Sequence, residues 1–168
     1  SNIWLENMNK IKKILLAGMT CLLVGCGGVS STTYTYEDSM TIPSDMIGAQ
    51  EDVDVSGIEE MTLYYNDEKV DKLADTIEYT FDGEVSDEAK ENVKGLLLDS
   101  FDTEEKGIVV KDISSDKIGV SIEIDLARVD KDNEILQMFN LNASDFNDDN
   151  TYPLNTLENA LIQAGYEK

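Results

Sequence analysis

The chain has no histidine, a single arginine (Arg128), two cysteines and two prolines. Without an imidazole, Ser-His and Cys-His nucleophilic sites are excluded, and so are zinc sites that use His. Basic residues are scarce as well: 13 Lys and Arg stand against 35 Asp and Glu, a net charge of −22. Nucleic-acid binding needs clustered Lys and Arg to displace phosphate counterions, so a nucleic-acid partner is not expected. The same charge opposes adsorption to anionic lipid through the protein surface. The longest apolar run, residues 14–24, is too short to cross a bilayer.

That short run is nonetheless informative. Lys10, Lys12 and Lys13 form a basic segment before it, and it stops at Leu23-Val24-Gly25-Cys26. A charged n-region, an apolar h-region and a small residue before a cysteine make a secretory signal. The last four residues resemble the lipobox of bacterial lipoproteins, where cleavage after Gly25 frees Cys26 to carry acyl chains. The expectation is a leader over residues 1–25, removed from the mature protein, and a membrane partner engaged through a lipid anchor on Cys26. The protein then sits at the cell membrane on the extracytoplasmic side. Residues 1–7 precede Met8, carry no patterned hydrophobicity and are left out of the fold expectation. Cys21 leaves with the leader and Cys26 is acylated, so neither a disulfide nor a thiol nucleophile remains. Removing Glu6 and three Lys leaves 34 acids against 10 bases, −24.

Residues 26–56 contain paired Gly, paired Ser, a Pro and Glu51-Asp52-Val53-Asp54, with no sustained apolar period, and are expected to form a flexible acidic tether. About thirty such residues would reach roughly 30 Å. Thr33-Tyr34-Thr35-Tyr36 is the exception, since its β-branched and aromatic residues suit a short edge strand.

Residues 57–168 carry the periodic pattern of one domain. Met61, Leu63 and Tyr65 alternate with Glu60, Thr62 and Tyr64, the repeat of a half-buried strand. A turn at Asn66-Asp67-Glu68-Lys69 leads to a second extended segment ending at Phe81, with Ile77, Tyr79 and Phe81 on one side. Ser86 caps a helix whose stripe is Ala89, Val93, Leu96, Leu97 and Phe101. A second hairpin follows, its cleaner strand placing Ile118, Val120, Ile122, Ile124 and Leu126 on one face. Asp130 is expected to cap a short helix, Asn155 and Glu158 to open the last one, and Gly165 to close it. The order ββαββαα argues for an α+β domain, an antiparallel sheet built from hairpins with helices on one face.

Several of these pieces, in this order, resemble the YehR-like bacterial lipoproteins, a family of uncharacterised function. They are the 57–72 segment Gly-Ile-Glu-Glu-Met-Thr-Leu-Tyr-Tyr-Asn-Asp-Glu-Lys-Val-Asp-Lys, Lys106-Gly107-Ile108, Ile122-Glu123-Ile124-Asp125, Thr156-Leu157-Glu158 and Ala164-Gly165-Tyr166-Glu167-Lys168. The resemblance implies a fold and an envelope address and transfers no catalytic residue. This chain departs from the pattern in its acidity and in the Asn- and Asp-rich insertion before the last helix.

Three constellations could carry chemistry. Asp145, Asn147 and Asp149 alternate like the first half of a calcium loop, whose oxygens converge on a hard cation. The second half departs, with Asn150 where that loop has Gly and Thr156 where it has a bidentate Glu. Asp130, Asp132 and Glu134 share the alternation but fit helix capping better. Paired carboxyls, Glu59-Glu60 and Asp148-Asp149, could in principle act as acid and base, yet an acid-rich chain places pairs by chance. Tyr64, Tyr65, Tyr79 and Phe81 could line a cleft, and Arg128 could grip a carboxylate. The overall expectation is a non-catalytic domain that binds an unknown envelope ligand or protein, with no cofactor. Calcium weakly held by Asp145, Asn147 and Asp149 is the rival, and a carboxylate enzyme stands third.

Overall fold

The computed structural model describes residues 29–101 and 104–168. Cys26 and Gly25, the expected lipidation and cleavage positions, lie outside them.

Six strands form one antiparallel sheet. β1 (Ser30–Ile42), β2 (Val53–Asn66) and β3 (Lys69–Phe81) are each 13 or 14 residues long and pair in succession. β5 (Ile118–Asp125) lies against β3, and β4 (Ile108–Asp112) takes the far edge, giving the order β1-β2-β3-β5-β4. β6 (Tyr152–Pro153) adds two residues against Lys69 and Val70. Because β5 is antiparallel to both β3 and β4, the latter two run in the same direction with β5 inserted between them, a split crossover carried by a helix. The antiparallel α+β fold expected from the alternation is therefore the fold observed, with helices packed on one face.

Local sequence explains the joints. Asp67 and Glu68 have φ of 50° and 62°, both positive, which is the two-residue hairpin turn whose twist matches its strands. α1 (Ser44–Ile47) is a single turn between β1 and β2. α2 (Asp87–Asp99) begins where the Ser86 hydroxyl accepts the Ala89 amide, and it buries Ala89, Val93 and Leu97 as its spacing requires. α3 (Glu134–Met138) buries Leu136, and α4 (Leu154–Gln163) buries Leu157 and Leu161.

The tether is the principal correction. Most of residues 26–56 are built into the fold: β1 pairs with β2 along its entire length, from Ser30 opposite Tyr65 to Ile42 opposite Val53. The buried face of β1 is made of Thr32, Tyr34, Tyr36 and Ile42, so its alternation is carried largely by hydroxylated side chains that a hydrophobicity pattern overlooks. β2 also starts earlier than expected. Val53 and Val55 are buried within the acidic stretch, and Asp54 points outward.

Two caps also move. Asn133, rather than Asp130, caps α3 by accepting the Ile135 amide, while Asp130 closes a local turn with the Asp132 amide. α4 begins after Pro153, ahead of Asn155, because a proline ring is preset for a helix start. Glu158 is thereby left to receive the Tyr34 hydroxyl at 2.6 Å.

Deleting residues 30–42 is expected to abolish the cooperative thermal transition, since it uncovers β2 and strips Tyr34, Tyr36 and Ile42 from the core. A two-state melt in that deletion would return the segment to the role of a tether.

Candidate functional site

The sheet's register puts two carboxyl groups where a core should be apolar. Across its inner face one row reads Tyr34, Met61, Asp75, Ile122, and the next reads Tyr36, Glu59, Ile77, Val120. Glu59 and Asp75 are diagonal neighbours on adjacent strands, 4% and 1% exposed. Holding an ionised carboxylate out of water costs several kcal/mol unless hydrogen bonds and opposite charge offset it. Directly across from Glu59 stand Tyr36 and Ile77, and across from Asp75 stand Met61 and Ile122, none of them cationic.

Tyrosines complete the surroundings. The Tyr166 phenol lies near the Glu59 carboxyl, and its ring stacks on Tyr36 with centroids 4.7 Å apart and planes at 24°. Glu59 Oε1 meets no hydrogen-bond donor. Tyr79 lies over Gly57, its nearest ring carbon 2.7 Å from where a Cβ would stand, so glycine is the residue that lets the ring reach this part of the face. Tyr36, Asp38, Gly57, Glu59, Ile77 and Tyr79 border a cleft of about 10 Å³, the size of one water molecule.

Electrostatics follow from this packing. Burial pushes the Tyr79 phenol far above its ordinary range, and the charges of Glu59, Asp75 and Asp38 add to the effect. Tyr166 moves the same way, through burial and then through Glu59 and Asp75. Tyr36 is pushed up to about 12 by burial, then by Asp38 and Glu59. Three carboxyls thus act on one group of phenols, all of which keep their protons at neutral pH.

The residues singled out by sequence are placed differently. Glu59 and Glu60 cannot act together, because neighbours on a strand face opposite ways, and Glu60 is exposed. The partner of Glu59 is Asp75, which sequence reasoning missed. The signal was present: Glu59 falls in phase with Val55, Met61 and Leu63, and Asp75 with Leu73 and Ile77. Tyr64 sits on the outer face, where Lys72 lies 5.5 Å from its ring centroid, so the four expected aromatics form no single cleft. Arg128 is exposed and borders a shallow hollow with Glu104, Glu105 and Asp130.

In the Asn- and Asp-rich loop, the three proposed cation ligands turn to separate partners. Asp149 accepts from Lys69 at 2.9 Å and from the Thr151 amide and hydroxyl, which hold its carboxyl well below the usual range. Asn147 donates to the Thr151 hydroxyl, and Asp145 receives the Tyr152 hydroxyl at 3.4 Å. Among the described residues no three His, Cys, Asp or Glu side chains converge on a point that could hold a metal ion. A second acidic region, a cleft of about 580 Å³ at the opposite end of the sheet, is bordered by Glu51, Asp52, Asp54, Asp82, Glu84 and Glu88. Three of its carboxyls already close local structure, with Ser44, Thr41 and Ser56 as donors.

No family model, curated protein or solved structure matches this chain.

Two outcomes test this description. Glu59→Gln replaces an ionisable group in the core by a neutral one of nearly the same size, so urea unfolding is expected to show a gain of about 1–2 kcal/mol; a loss of that size would make the carboxyl structural. The folded chain also holds the Tyr36 proton more tightly than the unfolded chain does. That contribution to stability is complete below about pH 10 and is lost as pH rises from there through about 12. Absorbance titration should show buried tyrosines ionising together with alkaline unfolding. Ionisation near pH 10 with the native circular dichroism intact would place these rings at the surface.

Proposed function

We propose that this protein is a lipid-anchored domain of the cell envelope, working on the extracytoplasmic side without catalysis and binding a ligand or partner that carries positive charge. The observation behind the reading is the Glu59–Asp75 pair. Two carboxyls buried in the middle of a sheet oppose folding, and groups of that kind cluster at binding and catalytic sites. Binding is favoured over catalysis because the groups beside the pair are phenols that keep their protons at neutral pH, and the chain has no histidine to act as a base.

The anchor is supported by the lipobox-like Leu23-Val24-Gly25-Cys26 and by the resemblance to YehR-like lipoproteins. No helix among the described residues is long and apolar enough to cross a membrane. With only residues 27–29 between Cys26 and β1, the link extends at most about 14 Å. An acylated domain would therefore ride on the headgroups, with the start of β1 toward the lipid. At about 3.3 Å per residue, the end of β1 and its acidic cleft lie roughly 40 Å away, directed outward.

Metabolic labelling with palmitate is expected to mark the wild-type protein and not Cys26→Ser, which should leave the membrane fraction. An unlabelled wild type would remove the anchor from this reading. The ligand half fails if no cation, whether amine, basic peptide or calcium, raises the melting midpoint at low ionic strength.

A further inference from the structure

The C-terminal residues lie over Tyr36 at the edge of the carboxyl cleft, and few bonds hold them there. Gly165, at φ +98°, ends α4: its amide bonds Ile162 O at 3.0 Å, and the next amide, that of Tyr166, bonds Leu161 O at 2.9 Å. This left-handed helix stop turns Tyr166 back over the sheet. Glu167 then makes one isolated bridge to Thr35, two backbone hydrogen bonds of 2.7 and 2.9 Å. Lys168 Nζ lies 3.5 Å from Glu158, in a partly exposed ion pair. Beneath this strap is the Tyr36 face, with Asp75 and Glu59 nearby, and Glu59 Oε1 has no donor although the residue is 96% buried.

We propose that this pocket binds an alkylammonium group, and that Tyr166 is its stopper, swinging out on Gly165 to admit the ligand. The proposal names the ligand class for the cationic reading above and rests on it. Anions are excluded by three nearby carboxyls. A hard divalent ion wants about six oxygens, whereas the carboxyls here are few and the walls are aromatic. Aromatic faces and carboxylates together suit an organic ammonium, whose charge is drawn to the rings and whose alkyl part is apolar. Tyr166 mimics such a ligand, with its ring on Tyr36 and its hydroxyl end toward Glu59. An incoming alkyl chain and N–H would take over those two contacts. Ligand and stopper exclude each other, so the apparent affinity equals the intrinsic affinity scaled down by the open fraction.

Calorimetric titration of the full chain with n-butylammonium chloride tests this, with n-butanol as the uncharged control. Tyr166→Ala is expected to bind the amine at least tenfold tighter than wild type, and adding Glu59→Gln should weaken it tenfold or more. Butanol should give no binding heat. A Tyr166→Ala protein that melts cooperatively yet binds no tighter overturns the stopper, and binding unchanged by Glu59→Gln overturns the site. If Tyr166→Ala does not fold, the wild-type melt decides: the midpoint should rise with butylammonium chloride and not with sodium chloride at equal ionic strength, and no rise rejects the proposal. A rise with calcium or a basic peptide that requires Glu59, without one for butylammonium, rejects the ammonium while leaving a cationic ligand. Silence from every cation rejects both.

Discussion

Strict alternation of side chains along paired strands is the constraint on which the structure depends. Once Tyr34 is set opposite Met61 and Met61 opposite Asp75, every second residue of three long strands is committed to the same face. A slip of one residue would send Val55, Met61, Leu63, Leu73 and Ile77 into water. The pairing that buries them carries Glu59 and Asp75 inward too. The carboxyls are held in place by the burial of their apolar neighbours, and no local preference of their own puts them there.

This makes the centre of the sheet a compromise. Around the acids the chain places phenols, which combine an apolar ring with a polar end, and Gly57, which yields its side-chain space to Tyr79. Tyr166 arrives from the far end of the chain through the Gly165 turn and brings a further phenol to the carboxyls, stacked on Tyr36. Stability at this spot therefore draws on residues from β1, β2, β3 and the C-terminal segment together. The rest of the inner face is conventional, with the buried residues of α2 and α4 joined to Val120, Ile122, Leu63 and their neighbours in one apolar cluster.

The remaining acids act differently. Those in loops and at strand ends close turns and caps: Asp149 with Thr151 and Lys69, Asp54 with Thr41, Asp52 with the Ser44 amide. Exposed pairs of this kind contribute little each, and their sum is chiefly a strongly negative, soluble surface. Acidity of the whole chain is thus a poor guide to the site, which is distinguished by burial alone.

Much of the fold was legible in order along the chain. The Met61-Leu63 alternation, the Asp67-Glu68 turn, the Ser86 cap with its stripe and the Ile118 to Ile124 strand are local patterns, and local geometry sets their periods. The leader pattern and the lack of histidine likewise belong to the sequence, since composition and linear order suffice to state them. β1 was legible only as a short edge strand at residues 33–36, and its full length was not, because a strand built on Thr32, Tyr34 and Tyr36 declares its buried face only when a partner strand supplies the apolar surroundings. The same holds for the pairing of Glu59 with Asp75 and their cover by Tyr166. Residues 16 and 107 positions apart meet only after register and a helix stop have brought them together, and burial, the property that sets these acids apart from the others, is a relation among distant segments that no single stretch contains.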